Sequence, residues 1–282
     1  MRILLTGASG QLGHAVRRVF SRHEVVARAH TALDVADVSG VEAALDETRP
    51  DLLLNAAAYT AVDRAEDEPE AAYRANREGP RALAVATARR GIPLLHVSTD
   101  YVFDGEKGTP YVESDATHPL GVYGTSKLAG EDEVRRANSR HFIVRTAWLY
   151  GPVGRNFALT LAAVAAREPK LRVVDDQWGS PTYAPHLAAA LERLVESEAW
   201  GTHHLVNAGV TSRCEFARAL LRALGSATPL EPIPTSAWPT RARRPRNTAL
   251  ASERDTGIAL RDWREGVRDF AAAFSGGTVL TV

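Results

Sequence analysis

Cysteine, methionine and lysine are scarce in this chain of 282 residues, which contains one cysteine and one methionine. The single cysteine, Cys214, excludes an intramolecular disulfide and suits a reducing compartment. Acidic and basic residues number 34 each, so no net charge favours nucleic acid or an anionic membrane as a partner. The apolar runs, such as 161–166, are much shorter than a membrane span, and no leader-type segment precedes the first apolar run. We therefore expect a soluble, cytoplasmic protein.

The first 20 residues carry a strand, a glycine-rich turn and a helix in succession. The apolar run 2–6 is followed by Gly7-Ala-Ser-Gly-Gln-Leu-Gly13 and then by apolar residues at helical spacing. In such a unit the glycines let the backbone approach a pyrophosphate, which lies at the helix N-terminus. The pattern predicts a dinucleotide-binding site that includes Gly7 and Gly10.

Further strand-like segments alternate with helical ones along the first half of the chain. Strands are predicted at 24–27, 51–58, 94–99 and 142–148, and helices at 38–48 and 68–90. This alternation indicates an α/β fold, a Rossmann-type doubly wound parallel sheet. We expect residues 1–150, joined by 183–208, to form the NAD(P)-binding domain. Residues 151–182 and 209–282 are rich in proline and irregular, and they predict a smaller C-terminal substrate-binding domain.

The second strand bears on the choice of cofactor. An acidic residue about 20 positions after the glycines binds the ribose 2′-hydroxyl of NAD. Here the strand continues into Arg28, and the next carboxylate is Asp34. A base at this point favours the 2′-phosphate of NADPH, with NADH tolerated, although Arg28 could also face solvent.

Tyr123 and Lys127 are the strongest candidates for catalysis. Four residues apart on a helix, they share one face, and an adjacent ammonium would lower the pKa of the phenol. Only three lysines occur among the 34 basic residues, so a lysine at this position is informative, although a chance pair on a surface helix is the alternative. Thr99 and Asp100 follow a buried strand at its carboxyl end, where ligands of such sheets bind. We expect Tyr123 to donate a proton to a carbonyl oxygen that Thr99 orients.

Seven segments carry a family resemblance. TGASGQLG, LNAAAYTAVDRAEDEP, STDYVFDG, YGTSKLAGE, RTAWLYG, DQWGSPTYA and RPRNTAL are similar, in order and spacing, to those of the dTDP-4-dehydrorhamnose reductases of the extended short-chain dehydrogenase/reductase superfamily. The likeness extends from residue 1 to about residue 250. It implies an enzyme that uses NADPH or NADH to reduce the 4-keto group of a dTDP-6-deoxyhexulose, as a monomer or a homodimer.

The resemblance also assigns roles to individual residues. It implies that Thr99, Tyr123 and Lys127 are catalytic, and that Thr99, Asp100, Tyr123 and Trp148 bind the substrate. It matches eleven residues to cofactor contacts: Gly7, Gly10, Gln11, Leu12, Asp34, Val35, Ala58, Tyr59, Thr60, Tyr123 and Lys127. From the strand ends we add Arg28 and Ala57 to this predicted cofactor site.

Two positions depart from the family pattern. The ribose-binding acid is replaced by Ala29, which argues against strict NAD use. An acidic residue that helps to bind Mg²⁺ at a dimer interface in some members is replaced by Ala15, and no metal-ligand spacing appears elsewhere, so we predict no metal site. Within the basic segment 241–246 we assign Arg244 to the substrate diphosphate, the alternative being a solvated loop.

Three other functions fit parts of the sequence. The protein could reduce another nucleotide-linked 4-keto sugar, in secondary metabolism, or it could be a nucleotide-sugar epimerase or dehydratase. A dehydratase would need a second carboxylate after Asp100, where this chain has Tyr101. A non-catalytic regulatory subunit on the same fold is the third, and the joint presence of Thr99, Tyr123 and Lys127 speaks against it.

Overall fold

The computed structural model describes residues 1–275, in which short helices and strands alternate. The strands are β1 (Arg2–Thr6), β2 (Glu24–Arg28), β3 (Leu52–Asn55), β4 (Leu94–Thr99), β5 (His141–Thr146), β6 (Leu149–Tyr150), β7 (Leu171–Val174), β8 (Trp178–Gly179), β9 (Thr182–Tyr183), β10 (Gly201–His204), β11 (Thr211–Ser212) and β12 (Leu230–Ile233). The α-helices are α1 (Gln11–Val19), α2 (Val38–Thr48), α3 (Val62–Ala65), α4 (Pro69–Tyr73), α5 (Gly79–Arg89), α6 (Val122–Ala137), α7 (Phe157–Ala165), α8 (Ala184–Val195), α9 (Arg213–Ala223) and α10 (Trp263–Ser275). No helix of this described part is both long and apolar enough to cross a membrane.

Six parallel strands form the central sheet, in the order β10-β5-β4-β3-β1-β2. The strand order reverses between β1 and β3, so the crevice at the carboxyl ends of these strands is the expected place for a ligand. The predicted α/β Rossmann-type fold is confirmed. The strand β10 lies beside β5, with Thr202 opposite Ile143.

Both faces of the sheet are covered, because successive side chains of a strand point to opposite faces. Ile3, Leu5 and Val144 pack with α1 and α8 on one face. Leu4 and Ile143 pack with α2, α5 and α6 on the other. These side chains are fully buried, and each such aliphatic side chain contributes roughly 1.5–3 kcal/mol relative to exposure.

A second cluster of buried residues lies outside the sheet. Tyr150, Phe216, Trp263 and Phe270 form its centre, with contributions from α7, α9 and α10 and from the paired strands β7 and β12. The division into an NAD(P)-binding and a substrate-binding domain stays a prediction, and residues 276–282 of the latter lie outside the described part of the chain.

The helix predicted over 68–90 is interrupted. After α4 the chain makes a π-helical segment, Arg74–Glu78, before α5 begins. Pro80 has no N–H to donate to the carbonyl of Asn76, and its ring would clash with that carbonyl in a regular helix. The wider turn avoids the clash and buries Asn76 completely.

Two strands end earlier than the sequence predicted. β3 stops at Asn55, whose side-chain oxygen accepts the backbone N–H of Ala57 and so turns the chain. β5 stops at Thr146, and Trp148 has a left-handed backbone with φ 45°. The region 151–182, predicted to be irregular, contains β8 and the start of β9, each only two residues long.

Candidate active site

A cavity of about 540 Å³ lies at the carboxyl ends of β1, β3, β4 and β5. Ten of the residues singled out from the sequence line it: Gly10, Gln11, Leu12, Ala58, Thr60, Thr99, Asp100, Tyr123, Lys127 and Trp148. Residues that are up to 138 positions apart in the chain are therefore neighbours here.

The glycine-rich turn forms one end of the cavity and fits a dinucleotide. Gly7 has φ 71°, and a Cβ on it would lie 2.5 Å from the backbone of Ala56, so only glycine fits. Gly10 caps α1 without a side-chain hydrogen bond, which leaves helix N–H groups free for a phosphate. Within residues 1–275 the side-chain oxygen Oε1 of Gln11 is buried without a hydrogen-bond partner. A bound cofactor could satisfy it.

The loop after β3 forms the neighbouring wall and is held by Asn76. The side chain of Asn76 accepts the N–H of Tyr59 at 2.8 Å and donates to the carbonyl of Tyr59 at 3.1 Å and to Ser126 Oγ at 3.0 Å. Asn76 thus joins the loop that carries Ala58 and Thr60 to the helix α6 that carries Tyr123.

Tyr123 lies in the first turn of α6, beside Tyr101, whose ring centroid is 5.6 Å away in an edge-on arrangement. The carboxylate of Glu66 accepts the N–H of Val122 at 2.9 Å and so caps this helix. Burial raises the pKa of the Tyr123 phenol, while the nearby Thr99 hydroxyl works in the opposite direction. The lowered pKa expected from the sequence is wrong for the protein alone: the phenol stays protonated, as a proton donor must.

Lys127 is fully buried and belongs to a chain of polar side chains behind the cavity. Its Nζ donates to the carbonyl of Val97 at 2.7 Å and lies 3.4 Å from Nε2 of His96. The side-chain oxygen of Asn55 accepts hydrogen bonds from the hydroxyl of Thr6 and the backbone N–H of Ala57. Its amide nitrogen must therefore donate to Nδ1 of His96, at 2.9 Å.

This pattern fixes the tautomer of His96. Burial lowers the pKa of the imidazole far below its usual value, and the charge of Lys127 adds to this effect, so the ring is neutral. With Nδ1 accepting, its one proton is on Nε2, which faces Lys127. The ammonium therefore gains no acceptor from His96. Burial lowers the pKa of Lys127 to about 8, and the charge of Glu131 opposes this.

A buried ion pair fixes the next turn of α6. The carboxylate of Glu131 accepts four hydrogen bonds. The donors are Ser98 Oγ at 2.6 Å, two N–H groups of Arg145 at 3.0 and 2.8 Å and an N–H group of Arg135 at 2.6 Å. Burial alone would raise the pKa of Glu131, but these hydrogen bonds and the charge of Arg145 lower it. The pair ties α6 to β4 and β5, and so sets the position of Lys127 one turn earlier.

Thr99 and Asp100 occupy the end of β4. The hydroxyl of Thr99 donates to Asp100 at 3.0 Å and accepts the N–H of Tyr101 at 3.2 Å. Thr248 also donates to Asp100. Burial raises the pKa of Asp100 to about 6, against these two hydroxyl hydrogen bonds. A hydroxyl turns at little cost, so Thr99 can donate to a carbonyl in place of Asp100.

Several residues predicted for the site do not line the cavity. Arg28 pairs with Glu47 at 2.8 Å, and Arg244 pairs with Asp63 at 2.6 Å. Asp34 accepts a hydrogen bond from the guanidinium of Arg74 at 2.6 Å. The others, which support the loops from behind or lie beside them, are Gly7, Val35, Ala57 and Tyr59.

Two arginines of the cavity wall were missed by the sequence analysis. Arg213, at the start of α9, has its guanidinium 3.6 Å from the ring centroid of Trp148, and Arg155 lies near the glycine-rich turn. The Ser212 hydroxyl caps α9 and accepts the N–H of Glu215 at 3.1 Å, a pattern that sequence can reveal. Nothing local reveals that α9 begins beside Trp148, because that contact is tertiary.

A Rossmann-type sheet with a tyrosine, a lysine and a threonine at one cavity wall defines an oxidoreductase of the short-chain dehydrogenase/reductase type. Residues 1–275 match the family described as the RmlD substrate binding domain, and the chain belongs to this family. A dTDP-4-dehydrorhamnose reductase of Burkholderia thailandensis is 40% identical over 288 residues, covering 95% of this chain and 97% of the relative.

Solved structures agree with this assignment. A dTDP-4-dehydrorhamnose reductase of Clostridium acetobutylicum superposes with a TM-score of 0.95 at 36% identity, covering 98% of this chain and 100% of the other. The enzyme of the same name from Bacillus anthracis, in complex with NADP, gives a TM-score of 0.93 at 35% identity, covering 95% and 98%.

Proposed function

We propose that this protein reduces the 4-keto group of a dTDP-4-dehydro-6-deoxyhexose with NADPH, converting dTDP-4-dehydro-L-rhamnose to dTDP-L-rhamnose. The observation that carries the proposal is the placing of Thr99, Tyr123 and Lys127 on one wall of a cavity whose end is a glycine-rich turn. Relatives that cover nearly the whole chain bear the name of this reductase.

We assign a separate chemical role to each of the three side chains. When bound, the nicotinamide supplies the hydride. The protonated phenol of Tyr123 donates a proton to the developing alkoxide, and the hydroxyl of Thr99 holds the carbonyl oxygen. The ammonium of Lys127, on the same helix face one turn later, favours the phenolate that remains.

The acidic groups of the cavity favour reduction over dehydration. Among the described residues that line it, Asp100 is the one carboxylate, and it is engaged by Thr99 and Thr248. An elimination needs an acid and a base placed on the sugar, and Tyr101 stands where a second carboxylate would be required.

The test is the loss of reduced-nicotinamide absorbance with dTDP-4-dehydro-L-rhamnose generated in situ, with NADPH and NADH compared in parallel. We expect consumption of NADPH and the appearance of dTDP-L-rhamnose by chromatography, without any partner protein. If the cofactor binds and this sugar is not reduced, the proposed substrate is wrong, and reduction of a different nucleotide-linked 4-keto sugar would identify the right one.

A further inference from the structure

The guanidinium of Arg213 is a charged group that no carboxylate of residues 1–275 contacts. Within residues 1–275 it has no hydrogen-bond acceptor and no carboxylate at ion-pair distance; only its backbone N–H is engaged, with the carbonyl of Gln177 at 3.0 Å. Burial lowers its pKa to about 10, so the group stays charged at neutral pH. A partly desolvated cation costs free energy until an anion pairs with it.

The orientation of Arg213 is fixed by aromatic rings. Its guanidinium carbon lies 3.6 Å from the ring centroid of Trp148 and 5.1 Å from that of Phe157. Trp148 is itself confined, because a Cβ on Gly179 would lie 2.4 Å from its ring. Stacking engages the face of a guanidinium and leaves the N–H groups at its edge free to bind an acceptor.

The position of Arg213 is at the substrate end of the cavity. It lies against Trp148 and within electrostatic reach of Asp100 and Tyr101, whereas Arg155 follows Gly154, which lies near Gln11 of the glycine-rich turn. An anion bound by Arg213 would therefore be part of the substrate rather than of the dinucleotide.

The basic segment 241–246 is less suited to this task. Arg244, to which the sequence analysis assigned the diphosphate, already pairs with Asp63 at 2.6 Å and does not line the cavity. Arg241 pairs with Asp67 at 2.6 Å. A ligand would have to displace a carboxylate from either of them.

We propose that Arg213 binds the diphosphate of the nucleotide sugar, and that its stack on Trp148 holds the guanidinium ready for the phosphate oxygens. The inference rests on the proposed function, because the diphosphate is the anionic group of that substrate. A guanidinium fits phosphate oxygens with two parallel hydrogen bonds, while the sugar hydroxyls and the base carry no charge.

The experiment compares the binding of dTDP and of thymidine to the NADP⁺-loaded protein by calorimetry. The two ligands differ only in the diphosphate, so the ratio of their dissociation constants measures what the phosphates contribute. Arg213→Gln should weaken the binding of dTDP by roughly 10- to 100-fold, which is the usual contribution of a hydrogen bond between charged groups. The affinity for thymidine should stay unchanged. The KM for the keto sugar should rise while kcat stays within about threefold, because the contact persists from ground state to transition state.

Two further variants keep the test decisive. Arg213→Lys retains the charge but lacks the planar pair of N–H donors, and the ratio of its dissociation constants for dTDP and thymidine should be intermediate. Arg222→Gln removes an exposed arginine from the same helix α9 and should leave the ratio unchanged. If Arg213→Gln weakened the binding of dTDP and of thymidine equally, or changed neither, the assignment would be overturned. Failure of the wild type to reduce the sugar would instead refute the proposed function.

Discussion

Replacement of Tyr123 by phenylalanine is the most direct perturbation of the chemistry. It removes one oxygen atom and keeps the ring that packs edge-on against Tyr101. The reaction then lacks its proposed proton donor. The hydroxyl of Thr99 has the separate task of orienting the carbonyl, and Nζ of Lys127 donates to the carbonyl of Val97.

The size of the effect is that of one proton donor. A positioned general acid contributes about 10²–10⁴-fold, equivalent to about 2.7–5.4 kcal/mol of barrier, and we expect kcat to fall within this range. The binding of NADPH, measured by fluorescence, should change little, since the aromatic ring remains.

Single-turnover oxidation of NADPH at saturating keto sugar isolates the chemical step. Tyr101→Phe is the matched control: it makes the same chemical change at the neighbouring ring, whose hydroxyl lies 3.4 Å from Arg244. It should lower kcat by less than about tenfold, because this hydrogen bond is long and the Tyr101 hydroxyl has no part in the proposed proton transfer. If Tyr123→Phe also falls within tenfold of wild type while binding NADPH normally, the proton comes from another group and the assignment of Tyr123 is wrong.

Three other predictions concern charge. Arg28→Ala should raise the KM for NADPH about tenfold and leave the KM for NADH unaffected, because a partly exposed guanidinium would bind the 2′-phosphate; equal effects on both cofactors would contradict this. Since burial places the pKa of Lys127 at about 8, kcat should be highest below this pH and decline above it, and a flat profile from pH 7 to 10 would refute the role of its charge. Arg145→Met should lower the free energy of unfolding at pH 7 by about 3–5 kcal/mol, because it leaves a buried carboxylate short of a partner. The folded-state pKa of Glu131 is lowered, so its contribution is present above the unfolded value, about 4.3, and is lost in acid; urea unfolding should therefore show the difference shrinking below about pH 4.

Much of the fold could be read from local pattern. The alternation of apolar runs with helical periods predicted the parallel sheet, because strands buried on both faces are apolar throughout and each crossover needs a helix. The bounds of α2 and β4 agree with the predicted ones to the residue, since Asp37 caps the former and Pro93 precedes the latter. The π-helical turn was missed because its cause, Pro80 meeting the carbonyl of Asn76, acts within a segment that otherwise has a helical period.

The class of chemistry was evident from the order of the residues alone. The glycine-rich turn and the spacing of Tyr123 and Lys127 depend on short-range geometry, which a sequence displays directly. It also placed Thr99 at the carboxyl end of a strand, where the sheet topology brings ligands.

The electrostatics of the site, by contrast, depend on tertiary contacts. The pKa of Tyr123 depends on burial by distant segments, and the pKa of Lys127 is lowered by burial against β4, which carries His96 and Val97. Our proposal of Arg213 rather than Arg244 for the diphosphate likewise rests on contacts across more than sixty residues, with Trp148 for Arg213 and Asp63 for Arg244. Burial and charge pairing are sums over the neighbours of a group in space, and a linear sequence does not show which neighbours those are.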